Sequence, residues 1–256
     1  MDLVMPTGAV ARYKSPAQRA RVASEDWGEA NLYCCSCECL KLRRTPPNSE
    51  AVDFTCPECR SAFQLKSQSG RLSERIVDAG YAAMRRAIVE NRTPNLVALH
   101  YDRETWEIRN VLLVPRFVLT MSAVERRKPL ASTARRAGWI GCNILLSKMP
   151  VDAKISLVDN GVEADINSVR EKYAALRPLD HLSADSRGWT LDVLRAVRSL
   201  DLGCFSIRDV YRSEVELKML HPANRHVKAK IRQQLQRLRD LGFLEFLGAG
   251  TYRVRK

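Results

Sequence analysis

The sequence lacks the features that mark membrane and secreted proteins. No apolar run approaches the roughly 20 residues needed to cross a bilayer, and residues 1–14 lack the apolar stretch of a secretory signal. The sequence also contains no internal repeat. We therefore expect a cytoplasmic protein with a packed core, which an apolar share of 45% is sufficient to build.

Acidic residues are in short supply. The chain has 29 acidic and 42 basic residues among 256, which gives a formal net charge of +13. A field of this sign attracts phosphate groups. The composition therefore favours nucleic acid as the partner, ahead of an anionic membrane surface, and we expect no membrane partner and a monomer in solution.

Cysteine is abundant and clustered. Six of the eight cysteines lie between positions 34 and 59, and a chain without a secretory signal is expected in a reducing compartment, where disulfides are rare. Two Cys-x2-Cys pairs separated by eighteen residues have the spacing of a four-thiolate zinc site, which contributes folding energy rather than chemistry. The predicted zinc ligands are Cys34, Cys37, Cys56 and Cys59.

The assignment of the first ligand pair has alternatives. Cys37 with Cys39, or Cys35 with Cys39, could supply it, and all of these thiols could instead be buried and reduced without a metal. Cys142 and Cys204 stand apart from the cluster and are predicted to be core residues.

Hydrophobic periodicity and turn signals predict a mixed α/β or α+β domain up to about residue 180. Pro94 ends the second predicted helix, and Asp159-Asn160-Gly161 is a strong hairpin turn. The stretch 177–186 contains proline, aspartate and serine and is predicted to be a linker, so the first domain is placed at 1–180. The predicted helices are 16–27 and 73–90, and the predicted strands are 51–55, 62–66, 96–100, 108–114, 155–158 and 162–164.

The remaining segment, 181–256, is predicted to be a winged-helix domain. Its three helix candidates precede a terminal hairpin, and residues 187–256 contain fifteen basic and seven acidic residues. In such a domain the third helix enters the major groove of DNA, with its first residues on base edges. The predicted helices are 190–200, 206–220 and 224–241, and the predicted hairpin strands are 243–246 and 251–254.

Asp53, Gln64 and Lys66 form a candidate catalytic cluster. Residues two apart on a strand project to one face, so Gln64 and Lys66 can meet Asp53 across the predicted hairpin. Phosphodiester hydrolysis needs oxygen ligands for Mg²⁺ and a lysine that orients water and stabilises developing charge. By spacing alone, a solvated strand edge is the competing interpretation.

A basic segment with an embedded tryptophan is a candidate DNA-facing loop. Guanidinium groups bind phosphates or guanine edges, and an aromatic ring can stack on or wedge between bases. A solvated charge run with Trp139 in the core is the alternative.

Candidate DNA-binding residues therefore come from both halves of the chain. Each of them could instead belong to a solvated face. They are Arg127, Lys128, Arg135, Arg136 and Trp139 in the loop, Asn224, Arg225, Lys228, Lys230, Arg232 and Gln233 around the third helix, and Arg253 and Arg255 on the wing.

The whole chain resembles the DpnI family of restriction endonucleases, within the PD-(D/E)XK nuclease superfamily. The string TARRAGWIGCN at 133–143 is highly specific, and shorter matches are spread over the chain. These are YKS at 13–15, EDW at 25–27, YC at 33–34, DF at 53–54, LKS at 65–67, RKPL at 127–130, SRGWT at 186–190 and KIRQQL at 230–235.

This resemblance implies a restriction-endonuclease-like nuclease domain with an embedded zinc site, followed by a winged helix that prefers methylated DNA. It implies a Mg²⁺-dependent type II enzyme that cuts duplex GATC only when the adenine is N6-methylated. Since a methyl group donates no hydrogen bond, such a target would need an apolar wall, for which Trp139 is the candidate. Asp53 and Lys66 match the catalytic motif, whereas Gln64 stands where the family has an acidic residue. An amide oxygen can ligate Mg²⁺ but brings no charge. Glu25 is a candidate extra carboxylate, with an exposed helix-surface acid as the expected alternative.

Two other functions are consistent with these residues. A zinc-containing methyl-DNA-binding protein or regulator without catalysis would explain Gln64 together with the winged helix. A nuclease of the same fold with a relaxed or different target is the third hypothesis. The four histidines lie outside the catalytic cluster, and the sequence offers no evident histidine base.

Overall fold

The computed structural model describes residues 1–8, 10–46, 51–70, 72 and 74–255. The helices in chain order are α1 (Pro16–Asn31), α2 (Tyr81–Val89), α3 (Ile166–Leu176), α4 (Ala184–Arg198), α5 (Ile207–Tyr211), α6 (Glu214–Leu220) and α7 (Val227–Asp240). The strands are β1 (Arg43–Arg44), β2 (Phe54–Thr55), β3 (Ala62–Gln68), β4 (Arg75–Gly80), β5 (Asn95–Tyr101), β6 (Ile108–Val114), β7 (Val124–Arg126), β8 (Gly141–Leu145), β9 (Ile155–Asp159), β10 (Val162–Glu163), β11 (Cys204–Ser206), β12 (Leu244–Gly248) and β13 (Thr251–Val254).

The first part of the chain is built on a seven-stranded sheet with the order β1-β2-β3-β5-β6-β9-β10. Strands β3 and β5 run parallel, and the remaining pairs are antiparallel. Helix α1 packs on β3, and its Trp27 side chain is fully buried. A Cβ at Gly28 would lie 2.7 Å from the Phe54 ring, so only glycine allows the helix to approach this closely. The mixed α/β class expected from the sequence is confirmed.

A second, three-stranded sheet with the order β4-β8-β7 corrects one prediction. Residues 73–90 were predicted to be one helix, but β4 occupies 75–80 and α2 begins only at Tyr81. Residue 73, the first of that predicted helix, lies outside the described residues. The burial of β4 alternates, with Ile76 and Asp78 buried and Val77 exposed, which is the pattern of a strand with one covered face. Its hydrogen-bond partner β8 is more than sixty residues away in sequence, so tertiary pairing overrode the local helical spacing.

The C-terminal part contains helices α4 to α7 and the sheet β11-β13-β12. The predicted helix 206–220 is divided into α5 and α6, and the short strand β11 joins the predicted hairpin. Helix α7 buries Ile231, Leu235 and Leu238 and ends at Asp240, and Gly242 follows its C-cap with a φ of +85° that favours glycine. Helices followed by a hairpin wing form the expected helix-turn-helix architecture.

The segment between the two parts is ordered secondary structure rather than the open linker expected at 177–186. A 3₁₀ helix spans Arg177–His181, and α4 begins at Ala184. Arg187 on α4 is buried and donates to Asn91 Oδ1 at 2.9 Å and to the carbonyl oxygen of Ile88 at 3.4 Å. The helical segment thus packs the two parts together, and the domain boundary at 180/181 stays a prediction. None of the helices in the described ranges is long and apolar enough to cross a bilayer.

Candidate functional site

Four cysteines converge beside the β2–β3 hairpin. The Sγ atoms of Cys34 and Cys59 lie 3.5 Å apart, as do those of Cys37 and Cys56, and all four sulfurs lie within 4.8 Å of one another. A disulfide would bring sulfurs to about 2.05 Å, whereas a tetrahedral ion with Zn–S distances of about 2.3 Å has edges of about 3.8 Å. The arrangement could therefore hold zinc.

The other cysteines lie outside this group. Cys39 donates its thiol to the carbonyl oxygen of Lys41 at 3.3 Å, and Cys35 is buried. The structure thus brings together the pair Cys34 and Cys37, rather than either alternative containing Cys39. Cys142 is a core residue as expected, but Cys204 is exposed on the edge strand β11, so its predicted burial is wrong.

Two arginines that the sequence analysis did not identify support the cysteine loop. Arg170 on α3 donates to the carbonyl oxygen of Cys34 at 3.2 Å and to that of Cys39 at 3.4 Å. Arg177 donates to the carbonyl oxygen of Ser36 at 2.6 Å. These contacts tie the loop to helices about 130 residues further along the chain, and no local spacing announces them.

A cleft of about 820 Å³ opens between α1, the β2–β3 hairpin, β4 and α2. Asp53, Gln64 and Lys66 all line it, so the structure places the three predicted catalytic residues in one site. Asp53 is held just before β2, where its carboxylate accepts the backbone N–H of Leu65 at 2.7 Å. The hairpin thus sets the position of the carboxylate relative to the strand that carries Gln64 and Lys66.

A fourth residue of the cleft, Asp78 on β4, was missed by the sequence analysis. Gln64 Nε2 donates to its Oδ1 at 3.1 Å, and Lys66 Nζ lies 2.7 Å from the same oxygen. The Asp78 side chain is only 1% exposed, and its Oδ2 has no hydrogen-bond partner among the described residues. The prediction of a helix at 73–90 concealed this residue, and the only local signal was the alternation that ends at Gly80.

Burial and charge act together on Asp53. Burial raises its pKa above the ordinary value and the Glu25 carboxylate adds to the rise, while the Leu65 N–H and Lys66 act in the opposite direction. Glu25 lines the cleft, with 15% of its side chain exposed. It binds Arg21 at 2.6 Å and Arg44 at 2.5 Å, so it is an ion-paired, half-buried acid of the helix, and its role as an extra carboxylate stays a prediction.

The donor set of the cleft fits a hard divalent cation. Mg²⁺ prefers carboxylate and carbonyl oxygens, and Asp53, Gln64 and Asp78 provide both kinds. A buried carboxylate oxygen without a partner is costly unless a cation or water compensates it. The uncompensated Oδ2 of Asp78 is therefore an observation that favours a metal at this place.

The basic segment forms a closed loop between β7 and β8. The backbone N–H of Leu130 donates to Trp139 O at 2.9 Å, and that of Gly138 donates to Leu130 O at 3.0 Å. The loop exposes its basic side chains, which are Arg127, Lys128, Arg135 and Arg136, and Arg126 at the end of β7 is exposed beside them. Exposure of these cations is compatible with phosphate contact.

Trp139 in this loop is half-buried rather than part of the core. Its indole lies over the backbone of β4 and β8, since a Cβ at Gly141 would come within 2.8 Å of the ring and one at Gly80 within 3.5 Å. The Arg136 guanidinium lies 5.0 Å from the centre of the ring. Asp78 of the cleft also lies on β4, so the strand beneath the Trp139 ring is the strand that carries this carboxylate.

In the C-terminal part, three cations of α7 contact neighbouring helices. Lys228 lies 3.4 Å from Glu214, and Arg232 donates to the Tyr211 hydroxyl at 3.2 Å. Lys230 lies 5.9 Å above the Trp189 ring. These contacts orient the exposed cations without neutralising all of them.

The remaining candidates of this part lie before, on and behind α7. Arg225 and Gln233 are exposed. Asn224 Oδ1 accepts the backbone N–H of His226 at 2.8 Å, which shapes the turn into the helix. Arg253 on the wing lies 3.2 Å from Glu245, and Arg255 is exposed. The helix and wing thus present a basic surface.

Two family models match this chain. Residues 1–181 match the DpnI family, described as the Dam-replacing family. Residues 185–254 match the family DpnI_C, described as the Dam-replacing HTH domain. Together the two matches cover almost the entire sequence.

Proposed function

The chain belongs to the DpnI family, and on that premise we propose that it is a type II restriction endonuclease that hydrolyses double-stranded DNA in the presence of Mg²⁺. The convergence of Asp53, Gln64 and Lys66 in one cleft is the observation that carries this proposal. The target, GATC with N6-methylated adenine, rests on the resemblance of the sequence to this family. The nuclease domain is placed at residues 1–180 and the winged-helix domain at 181–256.

The chemistry of the cleft can be assigned to individual side chains. When bound by Asp53 and Gln64, Mg²⁺ would supply charge neutralisation at the scissile phosphate and activation of water. Asp53 holds its carboxylate at a fixed place through the Leu65 N–H. Lys66 can orient the attacking water and stabilise charge that develops on the phosphate oxygens. Hydrolysis by in-line attack would leave a 5′-phosphate.

Zinc is proposed as a structural ion held by Cys34, Cys37, Cys56 and Cys59. A closed set of four thiolates leaves no position for substrate. Cys56 and Cys59 lie in the turn between β2 and β3, so the ion would hold together the hairpin that carries the cleft residues. Its role would be to fix the site rather than to take part in the reaction.

Two basic surfaces are proposed to bind DNA. The loop between β7 and β8 lies next to the strand of Asp78 and would contact the cleaved duplex, with Trp139 as the apolar wall for the methyl group. Helix α7 and the wing would contact a major groove and its phosphates. An alanine at a phosphate-binding cation should weaken binding about equally for all sequences, and an alanine at Trp139 should reduce the preference for methylated DNA.

The decisive experiment is digestion of plasmid DNA with Mg²⁺, comparing plasmid methylated at GATC adenines with unmethylated plasmid. We expect the unmodified protein to cut only the methylated plasmid. The Lys66→Ala variant should not cut, but it should still bind DNA. Cutting of both plasmids would leave a nuclease with another target. No cutting by folded, zinc-loaded protein that still binds methylated DNA would identify a non-catalytic methyl-DNA-binding protein.

A further inference from the structure

We propose that Asp78 supplies the second carboxylate of the magnesium site, the charge that Gln64 does not bring. The inference rests on the proposed function and adds a ligand from a different strand and a different sheet. Asp53 and Gln64 come from the hairpin, whereas Asp78 comes from β4. The site would then contain two carboxylates and one amide instead of one carboxylate and one amide.

The first argument is the incomplete compensation of the Asp78 carboxylate. Its side chain is 1% exposed, and burial of a charge is costly unless both oxygens find partners. Lys66 and Gln64 satisfy Oδ1, while Oδ2 has no partner among the described residues. A buried acid of this kind inside a cleft is expected where a cation completes its coordination.

The second argument is the chemical match between Gln64 and Asp78. Gln64 acts as a hydrogen-bond donor to Asp78 at 3.1 Å, which a glutamate at this position could do only when protonated. Two ionised carboxylates at that distance would repel each other without a metal between them. An amide at position 64 is therefore suited to orient the acid on β4, which carries the charge in its place.

The third argument concerns Lys66. Its ammonium lies 2.7 Å from Asp78 Oδ1 and 30% of its side chain is exposed, so it covers the carboxylate from the open side of the cleft. A divalent cation would take over this neutralisation and free Lys66 for the phosphate and the attacking water. The ion pair between Lys66 and Asp78 thus represents the metal-free state of the site.

The position of Asp78 is set by backbone pairing, which makes it suitable as a ligand. It lies opposite Cys142 in the β4–β8 ladder, and Ile76 opposite Ile144 fixes the register through the core. Ligands on strands hold their geometry better than ligands on loops. The same ladder pairs Gly80 with Gly141, beneath the Trp139 ring, so the proposed ligand and the DNA-facing loop share a rigid support.

The test is binding of Mn²⁺ to the full-length, zinc-loaded protein, measured by calorimetry. Mn²⁺ prefers the same oxygen ligands as Mg²⁺. We expect Asp78→Asn, which keeps the shape of the side chain, to weaken binding by more than about tenfold. Glu125→Gln is the matched control, because it removes one carboxylate from strand β7 of the same sheet and lies outside the cleft. It should bind Mn²⁺ like the unmodified protein.

A rescue variant separates a ligand from a merely structural residue. Adding Gln64→Glu to Asp78→Asn restores a second carboxylate and should recover most of the lost Mn²⁺ affinity, whereas it could not repair a disturbed fold. Unchanged Mn²⁺ binding in Asp78→Asn, no rescue by Gln64→Glu, or absence of Mn²⁺ binding in the unmodified protein would each overturn the inference. Cutting of methylated plasmid is measured in parallel, because it decides the proposed function independently of the Asp78 assignment.

Discussion

The cysteine cluster and the cleft lie on one hairpin but have opposite characters. In the cluster, four thiols face one another at distances that suit a single ion, and arginines of distant helices support their loop. In the cleft, Asp53 is partly exposed and Asp78 is buried with one oxygen uncompensated. We call the cluster closed because its ligands face one another, and we call the cleft open because a polar group in it has no partner in the described part of the chain.

This difference separates stabilisation from function. A closed site satisfies its ligands mutually, so its binding energy becomes folding energy. An open site leaves polar groups unsatisfied until metal and substrate arrive, and such groups reduce the stability of the folded state. Substitutions in the cluster should therefore reduce both stability and cutting. Substitutions in the cleft should abolish cutting while stability changes little or even increases.

The largest expected effect is in the cluster. Cys56→Ser removes one of four thiolates and should lower the melting temperature by more than about 10 °C, because the loss of several kcal/mol shifts a protein of this size by that much. Bound zinc and cutting should be lost with it. Calorimetric melting and metal analysis of the purified protein are the measurements.

The control for this variant is Cys39→Ser. Cys39 lies in the same loop but donates to the Lys41 carbonyl oxygen, a bond that a serine hydroxyl can make. Its zinc content should match that of the unmodified protein. Loss of zinc in Cys39→Ser with retention in Cys56→Ser would contradict the assignment of the ligands.

The second effect is in the cleft, at Lys66. Lys66→Ala should reduce cutting by about a thousandfold and lower the melting temperature by about 4 °C, since it leaves Asp78 buried without its cation. Adding Asp78→Asn should recover most of the melting temperature but none of the cutting. Gel assays of cleavage and thermal melts of the two variants measure this separation.

Melting temperatures can also contradict the contrast between the cysteine cluster and the cleft. If Lys66→Ala melted like the unmodified protein and the double variant melted lower, the ion pair would not compensate a buried charge. The polar groups of the cleft would then compensate one another, as the thiols of the cysteine cluster do.

The smallest effect is a gain in stability at Asp53. Burial and the neighbouring Glu25 raise the pKa of Asp53, so the folded state binds its proton more tightly than the unfolded chain does. Ionised Asp53 therefore costs stability at neutral pH, and this cost disappears as the pH falls below the ordinary carboxyl range. Asp53→Asn, which can still accept the Leu65 N–H, should raise the melting temperature by about 2–4 °C at pH 7 without Mg²⁺.

The pH dependence is the control for this variant. The gain should shrink towards zero in acid, where the carboxyl group of the unmodified protein is itself neutral. A gain that is independent of pH, or a loss at pH 7, would show that the charge of Asp53 is already compensated in the cleft.

Much of the candidate site could be predicted because its members are close in sequence. The two Cys-x2-Cys pairs and the Asp53, Gln64 and Lys66 pattern all lie on or beside one hairpin, and two-residue spacing on a strand indicates a shared face. Helix α7 could be predicted from the spacing of Ile231, Leu235 and Leu238. In each case the residues that form the pattern are close together in the sequence.

Asp78 could not be predicted because the evidence for its strand lies elsewhere. The spacing of Ile76, Ala79 and Ala83 is compatible with a helix, and the hydrogen-bond partner that makes 75–80 a strand is β8. The position of Glu25 in the cleft could not be predicted for a similar reason, because its partner Arg44 lies on β1.

The sequence by itself determined the fold class, the four thiols of the cluster, the three hairpin residues of the cleft and the basic helix-turn-helix part. These features depend on periodicity, charge and short spacing, which act through neighbours in the chain. Only the tertiary structure decided that Asp78 joins the cleft, that Trp139 lies over Gly80, and that Arg170 supports the cysteine loop. These placements depend on hydrogen bonds and packing between segments that are far apart in the sequence, from 14 residues for Gln64 and Asp78 to 136 residues for Cys34 and Arg170. Local patterns contain no information about which distant segment will supply the partner.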